Sequence, residues 1–180
     1  MLILWALPIG LVVGLVLGGR LERLGRLHFR WPWLAVGGLL VQVALFTGTG
    51  FAAAGSLAPA IYVLSTLAVL VAVLRNLAIP GMAIVAVGAA ANLVAIVANG
   101  GSMPADPAAL ATAGLDAGGH TNSVVLQHPA LGFLTDIFAV PSWVPLANVF
   151  SVGDVLIAVG IGVAIAATVR KPGAPAPGRA

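Results

Sequence analysis

RLERLGRLHFR, residues 20–30, carries Arg20, Arg23, Arg26 and Arg30, half of the eight basic residues of a 180-residue chain. It separates two apolar runs, 2–19 and 31–49. Three further runs follow at 57–74, 79–98 and 152–169, and each is long enough to cross a hydrocarbon core of about 30 Å at about 1.5 Å per residue. Arg75 lies between the third and fourth runs, and Arg170, Lys171 and Arg179 follow the fifth. All the basic residues therefore fall in alternate connections, with none in the 50–56 turn or the 99–151 segment. The positive-inside rule gives one solution: N-terminus outside, C-terminus in the cytoplasm, residues 99–151 outside.

Composition agrees. Only 7% of residues are charged, against roughly a quarter in a soluble domain, and the mean hydropathy is +1.12. The expected fold is an all-α integral membrane bundle of five transmembrane helices, a single domain over 1–170. It carries a structured extracytoplasmic segment with short interfacial helices, and residues 171–180 form a disordered cytoplasmic tail. The lipid bilayer is the expected partner. The net charge is +3, but the basic residues form no single patch, so nucleic acid is not expected. There is no cysteine, which removes disulfides and thiolate metal sites. Trp31 and Trp33 at the inner start of the second run, Trp5 near the outer end of the first and Trp143 in the outer segment suit the two interfaces. The first run lacks a basic leader and reads as a retained anchor.

Gly10, Gly14 and Gly18 repeat at four-residue spacing in the first run, and Ala158, Gly162 and Ala166 do so in the fifth. Small residues on one face let helix backbones approach closely in lipid. Packing within the chain is the plainer reading, and contact between two copies the alternative.

NGGSMPADP, residues 99–107, reads as punctuation. Asn99-Gly100-Gly101 caps the fourth helix. Asp106-Pro107 opens a short helix that Gly114 stops, and Ser151-Val152-Gly153-Asp154 forms a capping box before the last run. ALGFLTDIFA, 130–139, is too short to span. On a helix it would set Leu131, Phe133, Leu134, Ile137 and Phe138 against Gly132, Thr135, Asp136 and Ala139, as an interfacial helix with Asp136 on its polar side.

Gln42, Ser65, Thr66 and Asn92 lie inside the runs, all roughly 10–13 Å below the outer face at about 1.5 Å per residue. Asn99 shares the Asn92 face two turns on. Such groups need partners in hydrocarbon and should face the bundle interior. They serve either as hydrogen bonds between helices or as the floor of an outward pocket roofed by the 99–151 segment and rimmed by Asp136, His120 or His128, with Asp154 a further ligand-binding candidate. No phosphate-binding loop, HExxH or GxSxG is present. His128 with Asp136 is not a recognised metal spacing, and no run holds a histidine for haem, so no cofactor and no metal are expected.

GGRLERL (18–24), Gln42, NLVAIVANGGSMP (92–104), LTDIFAVP (134–141) and SVGDVLIAVGI (151–161) resemble a bacterial membrane family, a domain of unknown function (family 5317). The resemblance covers nearly the whole chain except the tail. It departs at Ala105, where Val is expected, and at Thr135, where Gly is expected. It implies a small multi-pass protein of the bacterial cytoplasmic membrane and supplies no catalytic residue. The shared depth of Gln42, Ser65, Thr66 and Asn92 beneath the outer segment leads to a non-enzymatic expectation: an outward polar pocket for a small ligand, a lipid headgroup or a membrane protein partner. One rival is an enzyme acting on a lipid-linked substrate at the outer leaflet through Asp136 or Asp154 with His128. The other is a scaffold subunit using the glycine face of the first helix.

Overall fold

The computed structural model describes residues 2–115 and 123–170; His120 and the 171–180 tail lie outside them. Apolar periodic runs become helices α1 (Leu2–Val16), α2 (Pro32–Leu45), α4 (Ala58–Leu74), α5 (Met82–Ala98) and α7 (Val152–Arg170). Short α3 (Gly48–Ala54) and a 3-10 turn lead directly into α4. Two helical stretches are long and apolar enough to cross a membrane, the 26-residue Thr49–Leu74 and the 19-residue α7. Helices α1, α2 and α5 are apolar but shorter, at 15, 14 and 17 residues.

Glycines set the helix order. A Cβ on Gly10 would come within 2.7 Å of the Gly162 carbonyl oxygen, and one on Gly14 within 3.1 Å of the Ala166 Cα. The two indices rise together, so α1 and α7 run parallel. On the other side of α7, Gly81 abuts Gly160 and Gly88 abuts Gly153. Here one index rises as the other falls, so α5 is antiparallel to α7. Gly38 of α2 meets Ser65 and Val69 of α4. The packed order around the bundle is α1, α7, α5, α4, α2. Gly18 does not belong to the α1 seam as expected. It lies past the helix end at φ +82, with open space around it, and Gly19 packs on Val169 instead.

The connections that hold the described basic residues gather at one end. The Arg23 guanidinium Nη1 donates to the carbonyls of Val169 (3.0 Å) and Arg170 (2.9 Å), satisfying the C-terminus of α7. Arg75 lies 4.5 Å over the Trp31 ring. Buried Asn76 accepts from the Arg30 N–H at 2.7 Å and donates to the carbonyls of Arg30 (2.8 Å) and Ala72 (2.7 Å). Val73, Met82, Val85, Ala86 and Ala164 form the adjoining core; Leu45, Ala58, Tyr62, Ala95, Ile96 and Met103 form that of the opposite end.

At that opposite end, Gly101 N–H returns to the Ile96 carbonyl (2.8 Å) and Gly100 N–H to that of Val97 (3.3 Å), both glycines at positive φ. This double bond pattern ends α5 as its Asn-Gly-Gly sequence predicts. Asp106 accepts from Ala108 and Ala109 N–H groups to open α6 (Pro107–Ala113), and Gly114 ends it in the left-handed region. The segment is not all-helical. β1 (Met103–Pro104) pairs in parallel with β2 (Ser123–Val124), and β3 (Phe138–Val140) pairs antiparallel with β4 (Asn148–Phe150). Helix α6 packs Ala109, Leu110 and Ala113 against Val149.

The expected helix over 130–139 is absent. A single 3-10 turn, Gly132–Leu134, gives way to extended chain. The Asp136 N–H donates to the Pro104 carbonyl (2.9 Å) and its carbonyl accepts from the Asp106 N–H (3.0 Å). Pairing with 104–106 satisfies these backbone groups better than a helix confined between Pro129 and Pro141, and it buries Asp136 to 3% exposure instead of turning it to water.

Candidate functional site

A cavity of about 370 Å³ runs along the bundle interior. Its upper wall brings together Gln42 of α2, Thr66 of α4, Asn92 of α5, Asp154 of α7 and Asp136 from the paired segment. Its deeper wall is apolar, with Val69, Val73, Met82, Val85, Ile157 and Ile161. Among the described residues, no Lys, Arg or His lines it.

Hydrogen bonds within and between these elements hold the polar groups in place. The Gln42 Nε2 donates to Thr66 Oγ1 at 3.2 Å, and Thr66 Oγ1 donates to the Tyr62 carbonyl at 2.8 Å. The Tyr62 ring meets Phe46 edge-on at 4.9 Å and also lines the cavity. Across from them, the capping box predicted at 151–154 is built: the Ser151 N–H donates to Asp154 Oδ2 (3.2 Å) and the Asp154 N–H to Ser151 Oγ (3.0 Å). Asn92 closes the circuit. Its Nδ2 donates to Asp154 Oδ1 at 2.8 Å, and its Oδ1 accepts from Ser151 Oγ at 2.8 Å. Gly153 is required beside this circuit, because any Cβ there would run into the Asn92 amide. A carboxylate has about four acceptor positions, so Asp154 keeps capacity toward the cavity.

Three predicted candidates lie elsewhere. Asn99 clamps the segment to α5: its Nδ2 donates to the carbonyls of Ala95 (2.8 Å) and Ala130 (2.9 Å), and its Oδ1 accepts from the Ala130 N–H (2.8 Å). Ser65 is buried, bonds back to the Tyr62 carbonyl at 2.9 Å, and sits on the α2–α4 seam. His128 is exposed and takes no part in the cavity wall, so it does not join Asp136 and Asp154 there. The glycine face offered for a scaffold is covered by α7, with Gly10 and Gly14 buried.

One residue was not singled out by sequence. Tyr62, the single tyrosine, is buried at the cavity; its place one turn before Thr66 was the available signal. Ser151, expected only as a cap, is fully buried and serves Asn92 as well.

No group of three or more His, Cys, Asp or Glu residues able to hold a metal occurs among the described residues. No curated protein and no solved structure matches the chain. A family match begins at residue 26, past GGRLERL, and takes in the other stretches that carried the resemblance. With residues 26–166 matched by the model of the "Family of unknown function (DUF5317)", the chain belongs to that family.

Proposed function

We propose that this chain is a five-span protein of the bacterial cytoplasmic membrane. Its cavity opens to the outer face and binds a small polar-headed ligand, a lipid headgroup or a partner's segment without turning it over. The observation that carries this reading is the convergence of Gln42, Thr66, Asn92, Asp136 and Asp154, from four helices and one loop, on a single cavity. Side chains that served only to join helices would leave no room between them. A cavity of this size lies within the ordinary range for small-ligand sites, roughly 300–1,000 Å³.

The orientation rests on charge. The described basic residues cluster through Arg23, Arg30, Arg75 and Arg170 at one end of helices that alternate in direction. A cationic end is favoured on the cytoplasmic side. The shorter α1, α2 and α5 can be accommodated by local bilayer thinning and by their flanking turns.

Two measurements test this. The chain has no native cysteine, so a membrane-impermeant maleimide should label Trp143→Cys in intact cells and Arg26→Cys only after lysis. The reverse order would end the outward reading. In native mass spectrometry from mild detergent, Thr66→Phe, which adds a ring at the cavity wall, should reduce any co-purifying adduct at least about tenfold. Identical adduct spectra for the variant and the parent protein would remove the binding reading.

A further inference from the structure

We infer that the cavity takes a cationic amphiphile, an ammonium head on one apolar chain, and admits it sideways from the bilayer between α1 and α2. This rests on the binding reading above and names the class of ligand and its route.

The head is specified by the upper wall. Asp136 and Asp154 both line it, accompanied by the amides of Gln42 and Asn92 and the Thr66 hydroxyl, with no basic side chain among the described lining residues. Two carboxyl groups and two amides offer many acceptor oxygens, which an ammonium head with several N–H donors satisfies and which phosphate, sulfate and carboxylate heads, themselves acceptors, do not. The amides and hydroxyl supply acceptors for its N–H groups.

The chain is specified by the depth. From Asn92 to Met82 the wall descends roughly 15 Å along α5, at about 1.5 Å per residue, and below Asn92 it is apolar. Water gains nothing in such a space, which lacks the two to four polar partners a buried water needs. At about 30 Å³ per water-sized group, a cavity of about 370 Å³ holds roughly a dozen heavy atoms. That is one medium-length alkyl chain with its head.

The route is specified by helix order. The five helices curve from α1 through α7, α5 and α4 to α2, and the packed pairs do not include α1 with α2. Ile3 of α1 and Leu39 of α2 both line the cavity and remain 37% and 51% exposed. Lining side chains with that much exposure mark an opening, here between two helices whose other exposed side chains are apolar, such as Val12 and Val43. A membrane-dissolved chain can enter there without passing through water.

The test uses the full-length protein in phosphatidylcholine nanodiscs and a dodecylamine carrying a diazirine near its chain end. A dodecyl sulfate with the same diazirine is run in parallel, and peptide mapping locates the label. The amine should label Val73, Met82 or Ile161 at least about tenfold more than the sulfate, with unlabelled dodecylamine competing. Leu39→Trp should lower that deep labelling at least about fivefold and leave labelling of lipid-facing Val12 and Val43 unchanged. Repeating the labelling in nanodiscs with an amine-headed phospholipid identifies the source. Loss of deep label there shows that a phosphate-bearing, two-chain lipid occupies the site and overturns the single-chain cationic ligand, and retention supports it. Equal deep labelling by the sulfate overturns the cationic head, label confined to Val12 and Val43 overturns the buried chain, and indifference to Leu39→Trp overturns the lateral route. A separate readout isolates the underlying reading. If ethanolamine protects Gln42→Cys from maleimide while the long-chain amine fails to label, the pocket stands and the amphiphile falls; if both fail, both fall.

Discussion

Gly160→Val is expected to lower the thermal unfolding midpoint in detergent by roughly 6–12 °C, while Gly162→Ala, two residues along the same helix, leaves it nearly unchanged. The first substitution places a Cβ 2.6 Å from Val85 Cγ2, 2.7 Å from the Gly81 carbonyl oxygen and 2.8 Å from the Val85 backbone nitrogen. Two of these three atoms are backbone, one in the residue that caps α5 and one in its first turn, and backbone cannot rotate away as a side chain can. Helix α7 must move off α5 along the seam that also joins Gly88 to Gly153. Overpacking costs about 1–3 kcal/mol where side chains can adjust, and the upper end applies when backbone blocks backbone. At about 2–4 °C per kcal/mol for a chain of this size, about 3 kcal/mol gives the stated shift. At Gly162 the added Cβ meets only the Ala6 carbonyl oxygen, at 3.8 Å, an ordinary contact. The better helix propensity of alanine, worth up to about 1 kcal/mol, offsets the slight crowding. Differential scanning fluorimetry on the two variants decides the matter. Equal midpoints would show that α5 and α7 are not held by the seam described.

That seam shows what the sequence makes legible. Gly10, Gly14, Gly162 and Ala166 announce themselves by four-residue spacing, and the structure sets them face to face. Gly81 with Gly88, and Gly153 with Gly160, repeat at seven residues, which also returns to nearly the same helix face. This second seam could have been read but was obscured by the many glycines of the chain. Helix ends were readable because Asp106, Asn99 and the Ser151–Asp154 box act within three or four residues of themselves. The pairing of Asp136 with Pro104 and Asp106 joins segments some thirty positions apart and leaves no periodic trace. The run 130–139 happened to fit a helical arc, and a local reading had no means of weighing that against a distant partner. The cavity was half legible. Shared depth pointed to Gln42, Thr66 and Asn92, but depth does not say which way a side chain turns. Ser65, one residue from Thr66, spends its hydroxyl on the Tyr62 carbonyl of its own helix and is not in the cavity wall.

Asn92→Ala is expected to destabilise the protein by about 2–4 kcal/mol and to abolish ligand retention in the cavity. Asn92 is the only member of its circuit that lies on a different helix from the others. It donates to Asp154 Oδ1 and accepts from the Ser151 hydroxyl, both at 2.8 Å, so it ties the first turn of α7 to the side of α5. Truncation leaves the Ser151 hydroxyl, with no solvent exposure, without its acceptor. It also leaves Asp154 without the donor that aims one oxygen. A hydrogen bond to a charged group is worth about 1.5–3 kcal/mol and a stranded buried polar group costs about 1–3 kcal/mol. The two losses share the same groups and do not add in full. Ser151→Ala breaks the cap and one bond to Asn92, a change of about 0.5–2 kcal/mol. If the three residues act as one unit, the double variant should cost less than the sum of the singles by about 0.5–3 kcal/mol. Strict additivity in chemical denaturation would mean that Asn92 and Ser151 stabilise the protein independently. Asn92→Asp discriminates further. It keeps the shape and an acceptor for Ser151 but sets a second carboxylate against Asp154. A merely steric role for Asn92 would leave this variant as stable as the parent protein at neutral pH. The hydrogen-bonded role makes it at least as damaging as alanine there, because the carboxylate that replaces the amide has no N–H to donate to Asp154.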